Sequence, residues 1–266
     1  MNATREVAVS RIAYGRDAPV SATRELAVEA PIALEYNGVA YAVMMATPHD
    51  LEEFAVGFTL SERLASHRSE ILSVNQSQVA GGYLLRIELT PERAEAIRER
   101  VRLRLVEGSC GLCGLESIEQ VLRPLAPVSA PLSVEREAIG RALAALEAVQ
   151  PLGRATGAMH AAACCAPDGT ILAVREDVGR HNALDKLIGH LAVQGIDPAS
   201  GFLLLTARCS YELVEKAALA GCPMLVTISA PSDLAVQRAA EAGLTLVSLA
   251  RADSALVLTD LPGRIA

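Results

Sequence analysis

From residue 202 onward the chain repeats one pattern. An apolar run (FLLLT, 202–206) leads to an amphipathic stretch (211–220), a second apolar run (MLVTIS, 224–229), a second amphipathic stretch (232–242) and a third run (LTLVSL, 244–249). The runs are too short for helices and apolar at odd and even positions alike, which predicts strands buried on both faces. Strands alternating with helices predict a parallel sheet covered on both sides. Composition agrees: 51% of residues are apolar but only 3% aromatic, so the core must be built from Ala, Val, Leu and Ile rather than large rings.

Upstream, residues 32–36 and 39–45 flank Asn37-Gly38, a dipeptide suited to a type I′ hairpin turn. T-P-H-D at 47–50 offers a capping residue, a proline for the first helical position and an early acid. Leu51, Phe54, Ala55 and Phe58 then recur at helical spacing, predicting a helix to about Leu64. A strand is expected over 83–89, a charged helix over 91–105 and a short helix over 115–122. The three prolines of RPLAPVSAPLSV (123–134) mark a linker. The expected division is a smaller N-terminal α+β domain, 1–125, and a C-terminal α/β domain, 126–266, with a three-layer sheet. An alanine-rich helix (135–149), strands 159–166 and 170–174 flanking the turn Pro-Asp-Gly as a hairpin or sheet edge, and a helix over 182–193 precede the repeating region.

The net charge is −7 and no cluster of five or more Lys/Arg occurs, which argues against a nucleic-acid groove or an acidic-membrane surface. The first residues lack the apolar centre of a signal peptide, and no stretch has the roughly 18 apolar residues of a spanning helix. A cytoplasmic, soluble protein is expected. Its six cysteines then suggest thiol chemistry or burial rather than a disulfide framework.

Ligands of open parallel sheets gather at the carboxyl ends of the strands. Three loops leave strands there: 206–210 (TARCS), 229–233 (SAPSD) and 249–254 (LARADS), with Arg208 and Arg251 among them. Arginine together with free helix amides suits phosphate or diphosphate, although neither GxGxxG nor a Walker loop is present.

The stretch VEGSCGLCGLES (106–117) carries Cys110 and Cys113 among three glycines. A C-x-x-C pair serves zinc, disulfide exchange or sulfur transfer. Zinc needs two more ligands, and only His160 and the adjacent Cys164-Cys165 offer themselves. Thioredoxin-like exchange wants the pair within a βαβ unit. Sulfur transfer wants a low-pKa thiolate on a loop that a partner can approach, which the glycines permit. Cys164 and Cys165 lie in an apolar run and read as core. Cys209 and Cys222 also read as structural, with Cys209 placed where a helix start could make it reactive. His160 and His181 read as hydrogen-bonded pocket or structural histidines.

The chain resembles the formate dehydrogenase accessory sulfurtransferase family. The resemblance rests on TPHDLEEFAVGF (47–58), SCGLCG (109–114), TGAMHAA (156–162), REDVGRHNALDK (175–186), CSYELVEKA (209–217) and SAPSDLAV (229–236), in that order. It implies a sulfur carrier between a cysteine desulfurase and formate dehydrogenase or another molybdoenzyme. Cys110 would carry the persulfide and Cys113 would assist. The bound substrate would be molybdenum bis(molybdopterin guanine dinucleotide), with no resident metal. Leu249, Ala250, Arg251, Ala252, Asp253 and Ser254 match the family's cofactor-binding segment, and Ala252-Asp253-Ser254 replace a more basic continuation. A core similar to the cytidine deaminase fold and a homodimer are also implied. The deaminase signature, H-x-E with P-C-x-x-C, is not in this sequence, so deamination is not expected.

Overall fold

The computed structural model describes residues 2–15, 19–106 and 123–266. The expected helix over 115–122 lies outside them. Strands β1 (Thr4–Arg11) and β2 (Val20–Ala27) form a separate antiparallel ribbon. Next come β3 (Ala30–Tyr36), β4 (Val39–Ala46), helix α1 (Leu51–Ser61), β5 (Ile71–Val79), β6 (Gly82–Leu89) and helix α2 (Pro91–Val106). Helices α3 (Arg136–Leu146) and α4 (Pro151–Thr156) follow, then β7 (His160–Cys165), β8 (Ile171–Asp177) and α5 (Arg180–Gln194). The last elements are β9 (Phe202–Leu205), α6 (Tyr211–Leu219), β10 (Met224–Thr227), α7 (Asp233–Glu241), β11 (Thr245–Ser248) and β12 (Leu256–Thr259).

The N-terminal sheet has the order β4-β3-β6-β5, with β3 and β6 parallel. Asn37 and Gly38 adopt φ of 47° and 78°, the left-handed conformation that the expected turn requires. The Asn37 amide also bonds the main chain of Leu89 in both directions at 3.1 Å, tying the hairpin to β6. Period-two alternation buries Ile32, Leu34 and Tyr36 with Leu85, Ile87 and Leu89, and α1 covers them with Phe54 and Phe58.

Helix α1 departs from its expected start and end. It begins at Leu51, preceded by Asp50 at φ 53° with no side-chain cap, and stops at Ser61. Thr47 is held elsewhere: its hydroxyl accepts from Val178 N–H at 3.2 Å, its N–H donates to Asp177 Oδ2 at 3.0 Å and its carbonyl accepts from Lys186 Nζ at 2.9 Å.

The C-terminal sheet has six strands in the order β12-β11-β10-β9-β7-β8. The three strands of the repeating region are parallel, as expected, and β7 and β8 form the expected antiparallel hairpin; β7 also runs antiparallel to β9 and β12 to β11, so the sheet as a whole is mixed. Both faces are covered, as the apolar runs demand. Leu203, Leu205, Leu225 and Leu246 pack with α5, α6 and α7, while Leu204, Val226 and Val247 pack with α3. Residues 123–133 form neither helix nor strand. Arg264 fixes this segment to the C-terminal sheet by donating to the carbonyls of Val128 at 2.7 Å and Ala130 at 3.3 Å.

Helices α1 and α5 cross with their backbones in contact. A Cβ on Gly57 would lie 1.7 Å from the Asp185 carbonyl oxygen, and one on Gly189 would lie 1.8 Å from that of Glu53. Only glycine allows so close a crossing. This contact joins the N-terminal sheet, through α1, to the C-terminal layers.

Candidate functional site: a cationic cleft at the sheet edge

The three loops marked in the sequence do converge. The main chain of Cys209 bonds Ala230 at 3.2 Å and Ser232 at 2.9 Å, joining the first loop to the second. Leu249 N–H donates to Ser229 O at 3.4 Å and Ala250 N–H to Thr227 O at 3.1 Å, joining the third to the second. Between them opens a cleft of about 400 Å³ lined by His160, Arg180, Thr206, Arg208, Ser229 and Arg251, among others. The Thr206 hydroxyl accepts from Ala161 N–H at 2.7 Å, and the Thr206 carbonyl lies 3.3 Å from His160 Nδ1. A carbonyl only accepts, so Nδ1 carries the proton in this arrangement.

The six residues of the 249–254 segment divide into two groups. Leu249, at φ 53°, turns the chain, and Ala250 is buried. Arg251 reaches the cleft and donates Nη1 to the carbonyls of Ala250, at 2.9 Å, and Ile228. Ala252, Asp253 and Ser254 face a second groove of about 640 Å³, shared with Arg136, Glu137 and Asp260. Arg251 borders both cavities.

Sequence reasoning missed Arg180 and left His160 without a specific role. The signal for Arg180 was present in REDVGRHNALDK, but most of that motif does something else. Arg175 pairs with Glu53, its Nη2 lying 2.8 Å from Oε1, and His190 Nδ1 lies 2.9 Å from the same oxygen. Burial would raise the Glu53 carboxyl; hydrogen bonds from Arg175 and His190 outweigh it and hold it below the ordinary range. Glu176 accepts from the N–H groups of Leu152 and Gly153 at 2.9 and 2.7 Å. Asp177 takes Thr47 N–H, Gly179 N–H, the Asn182 amide and Lys186 Nζ, the last at 2.7 Å. Arg175 and Asp177 thus tie β8 and α5 to the N-terminal half, while Glu176 holds the start of α4.

Arg180 and His181 remain. Arg180 Nε is buried with no hydrogen-bond partner among the described residues. His181 Nε2 lies 3.4 Å from both Ser210 Oγ and Glu212 Oε2. Hydrogen bonds from His181 and Ser210, working against desolvation, lower the Glu212 carboxyl to about 2.

Cys110 and Cys113 lie outside the described residues. The other four cysteines are free thiols and buried. Desolvation pushes Cys164 up to about 11 and Cys209 and Cys222 to about 12, and raises Cys165 further. A thiol with so high a pKa is a poor nucleophile, so Cys209 is not activated by its place before α6.

Fold and site together define the class: a layered α/β protein with a cationic cleft where its parallel strands end. The chain belongs to the FdhD/NarQ family, which it matches over residues 27–266. Similar proteins include the sulfur carrier protein FdhD of Chromobacterium violaceum, 48% identical over 229 residues and 85% of each chain. That of Xanthomonas campestris pv. campestris is 48% identical over 257 residues, 97% of this chain and 90% of the relative. A crystal structure from Desulfotalea psychrophila, described as a candidate formate dehydrogenase accessory protein, matches with a TM-score of 0.80. It covers 100% of both chains at 23% identity and shows the shared fold. Among the described residues no helix is long and apolar enough to cross a membrane.

Proposed function

We propose that this protein carries sulfur from a cysteine desulfurase to the molybdenum bis(molybdopterin guanine dinucleotide) cofactor of formate dehydrogenase. The Cys110 thiolate attacks the outer sulfur of the desulfurase persulfide. The donor's S–S bond breaks, its cysteine leaves as a thiolate, and a new S–S bond forms on Cys110 without net oxidation. For delivery, Cys113 attacks the inner sulfur of that persulfide. Sulfide leaves toward the cofactor, and the Cys110–Cys113 disulfide holds the oxidising equivalents until a dithiol reductant restores the pair.

The observation that carries the reading is the convergence of Arg251, from the 249–254 segment, with Arg180, Arg208 and His160 around one cleft, a setting suited to an anionic nucleotide. Its place at the carboxyl ends of β9 and β10 is where open α/β sheets hold ligands. The raised pKa values of Cys164, Cys165, Cys209 and Cys222 support assigning sulfur chemistry to the remaining pair. The named relatives, called sulfur carriers, support it independently.

The test is maturation of formate dehydrogenase in a reconstituted mixture of desulfurase, cysteine, molybdenum cofactor and this protein. Wild type should yield active enzyme, and Cys110→Ala none while it still binds GDP. Equal maturation by Cys110→Ala would overturn the assignment.

A further inference from the structure

We propose that the pocket bordered by the ends of α1 and α6 and by α5 binds a small carboxylate with an aliphatic body. The inference is independent of the function proposed above. The cavity, of about 540 Å³, is walled by Leu60, Ile188, Ala192, Ile196 and Leu219, among others. Ile196 and Pro198 precede β9, and Leu219 and Ala220 precede β10, so the pocket opens at the amino ends of the parallel strands. The cationic cleft lies at their other ends.

The apolar wall carries titratable groups of one kind only. Arg63, His67 and Arg68 line the pocket and no carboxylate does so among the described residues, although the chain has a net charge of −7. Arg68 uses Nη1 on the Ile71 carbonyl at 2.5 Å. The partly buried Arg63 side chain makes no hydrogen bond or ion pair among the described residues. Desolvation lowers its guanidinium despite the attraction of Glu215, and Glu215 is already engaged by Arg238 at 3.0 and 2.7 Å. An anion in the pocket would supply the missing acceptor. Ser61, also in the lining, carries an Oγ with no hydrogen-bond partner among the described residues, and the nearby Asp185 directs both carboxylate oxygens at Lys216.

The place of Arg63 is itself unusual. Helix α1 ends in a Schellman motif, with Leu64 N–H donating to Thr59 O at 2.9 Å and Arg63 N–H to Leu60 O at 3.1 Å. The left-handed residue of that motif is most often glycine, yet here it is Arg63, at φ 56°. An inorganic anion on Arg63 would leave the apolar wall in water, and a neutral hydrocarbon would leave the guanidinium unpaired. A carboxylate with an aliphatic chain satisfies both, the head on the guanidinium fork and the chain on the wall. Pro124 and Ala126 of the linker also line the pocket, so the ligand touches both halves of the molecule and the segment that joins them.

The experiment is calorimetric titration of the full chain with octanoate, hexanoate, acetate and octylammonium, repeated with GDP present. Octanoate should bind about ten-fold more tightly than hexanoate, from two further buried methylenes. Acetate and octylammonium should show no binding in the same range. Arg63→Asn suits the left-handed turn, which asparagine tolerates, and should weaken octanoate about ten-fold, with Arg63→Lys retaining part of the affinity. Leu219 is 38% exposed, so Leu219→Asp tests the wall without disturbing the core and should weaken octanoate about as much. Saturating octanoate should raise the thermal midpoint of the wild type and leave that of Arg63→Asn nearly unchanged. Octanoate binding no tighter than acetate, or equal binding by Arg63→Asn and Leu219→Asp, would overturn the site. Displacement of octanoate by GDP would overturn it too, by moving the carboxylate to the cleft.

Discussion

The seam between α1 and α5 and the cleft at the sheet edge draw charged residues from one stretch, 175–186, yet they treat charge in opposite ways. In the seam, Lys186 is 0% exposed and lies 2.7 Å from Asp177, which also accepts from Thr47, Gly179 and Asn182. In the cleft, Arg180 and Arg208 share a space without a described counter-ion. A buried charge that is fully partnered holds structure together; like charges left unpartnered hold a place for something else. Five residues along the chain from Arg175, the same residue type changes its task.

This contrast can be broken experimentally. Asp177→Ala would take the carboxylate from the Lys186 ammonium and from three further donors in the interior, and a loss of about 3–5 kcal/mol is expected in urea denaturation. A loss below about 1 kcal/mol would mean that the seam is not holding the two halves together. Gly189→Ala places a methyl 1.8 Å from the Glu53 carbonyl and must push the helices apart. About 3 kcal/mol should be lost, read as a fall in thermal midpoint.

Glu212, paired with His181 beside Arg180, sets a pH dependence. Its carboxyl is lowered from 4.5 to about 2 in the folded chain. A depressed carboxylate stabilises fully above its unfolded pKa and loses that contribution as pH falls through the folded one. Glu212→Gln should therefore flatten stability between about pH 4.5 and 2, with less than about 1 kcal/mol lost at neutral pH because half the group is in water. An unchanged acid limb would remove Glu212 from the account. The smallest effect is expected at Arg208: Arg208→Gln should leave stability within about 0.5 kcal/mol, measured in the same urea titration that monitors Asp177→Ala. A large loss would show that Arg208 is structural after all.

Much of the scaffold was legible because periodicity is local. The three apolar runs after residue 202, the Asn37-Gly38 hairpin and the sheet edge where loops converge all follow from short stretches. The parallel direction of β9, β10 and β11 and the hairpin of β7 and β8 were legible too; β12, a short strand after the last loop that pairs antiparallel with β11, was not. Nor was the false cap at Thr47. Its true partners, Asp177 and Lys186, lie 130 and 139 residues away, and no local rule sees them. Arg180 escaped for a related reason: it could be told from Arg175 only once Glu53, 122 residues from Arg175, was in place.

The most direct measurement is the distribution of added sulfur over the six cysteines after incubation with a cysteine desulfurase and cysteine, read by peptide mass spectrometry without reductant. The prediction is one extra sulfur on the Cys110 peptide, abolished by Cys110→Ala, with none on Cys164, Cys165, Cys209 or Cys222. Persulfide on any of those buried thiols, or undiminished loading of Cys110→Ala, would contradict the sulfur-carrier account.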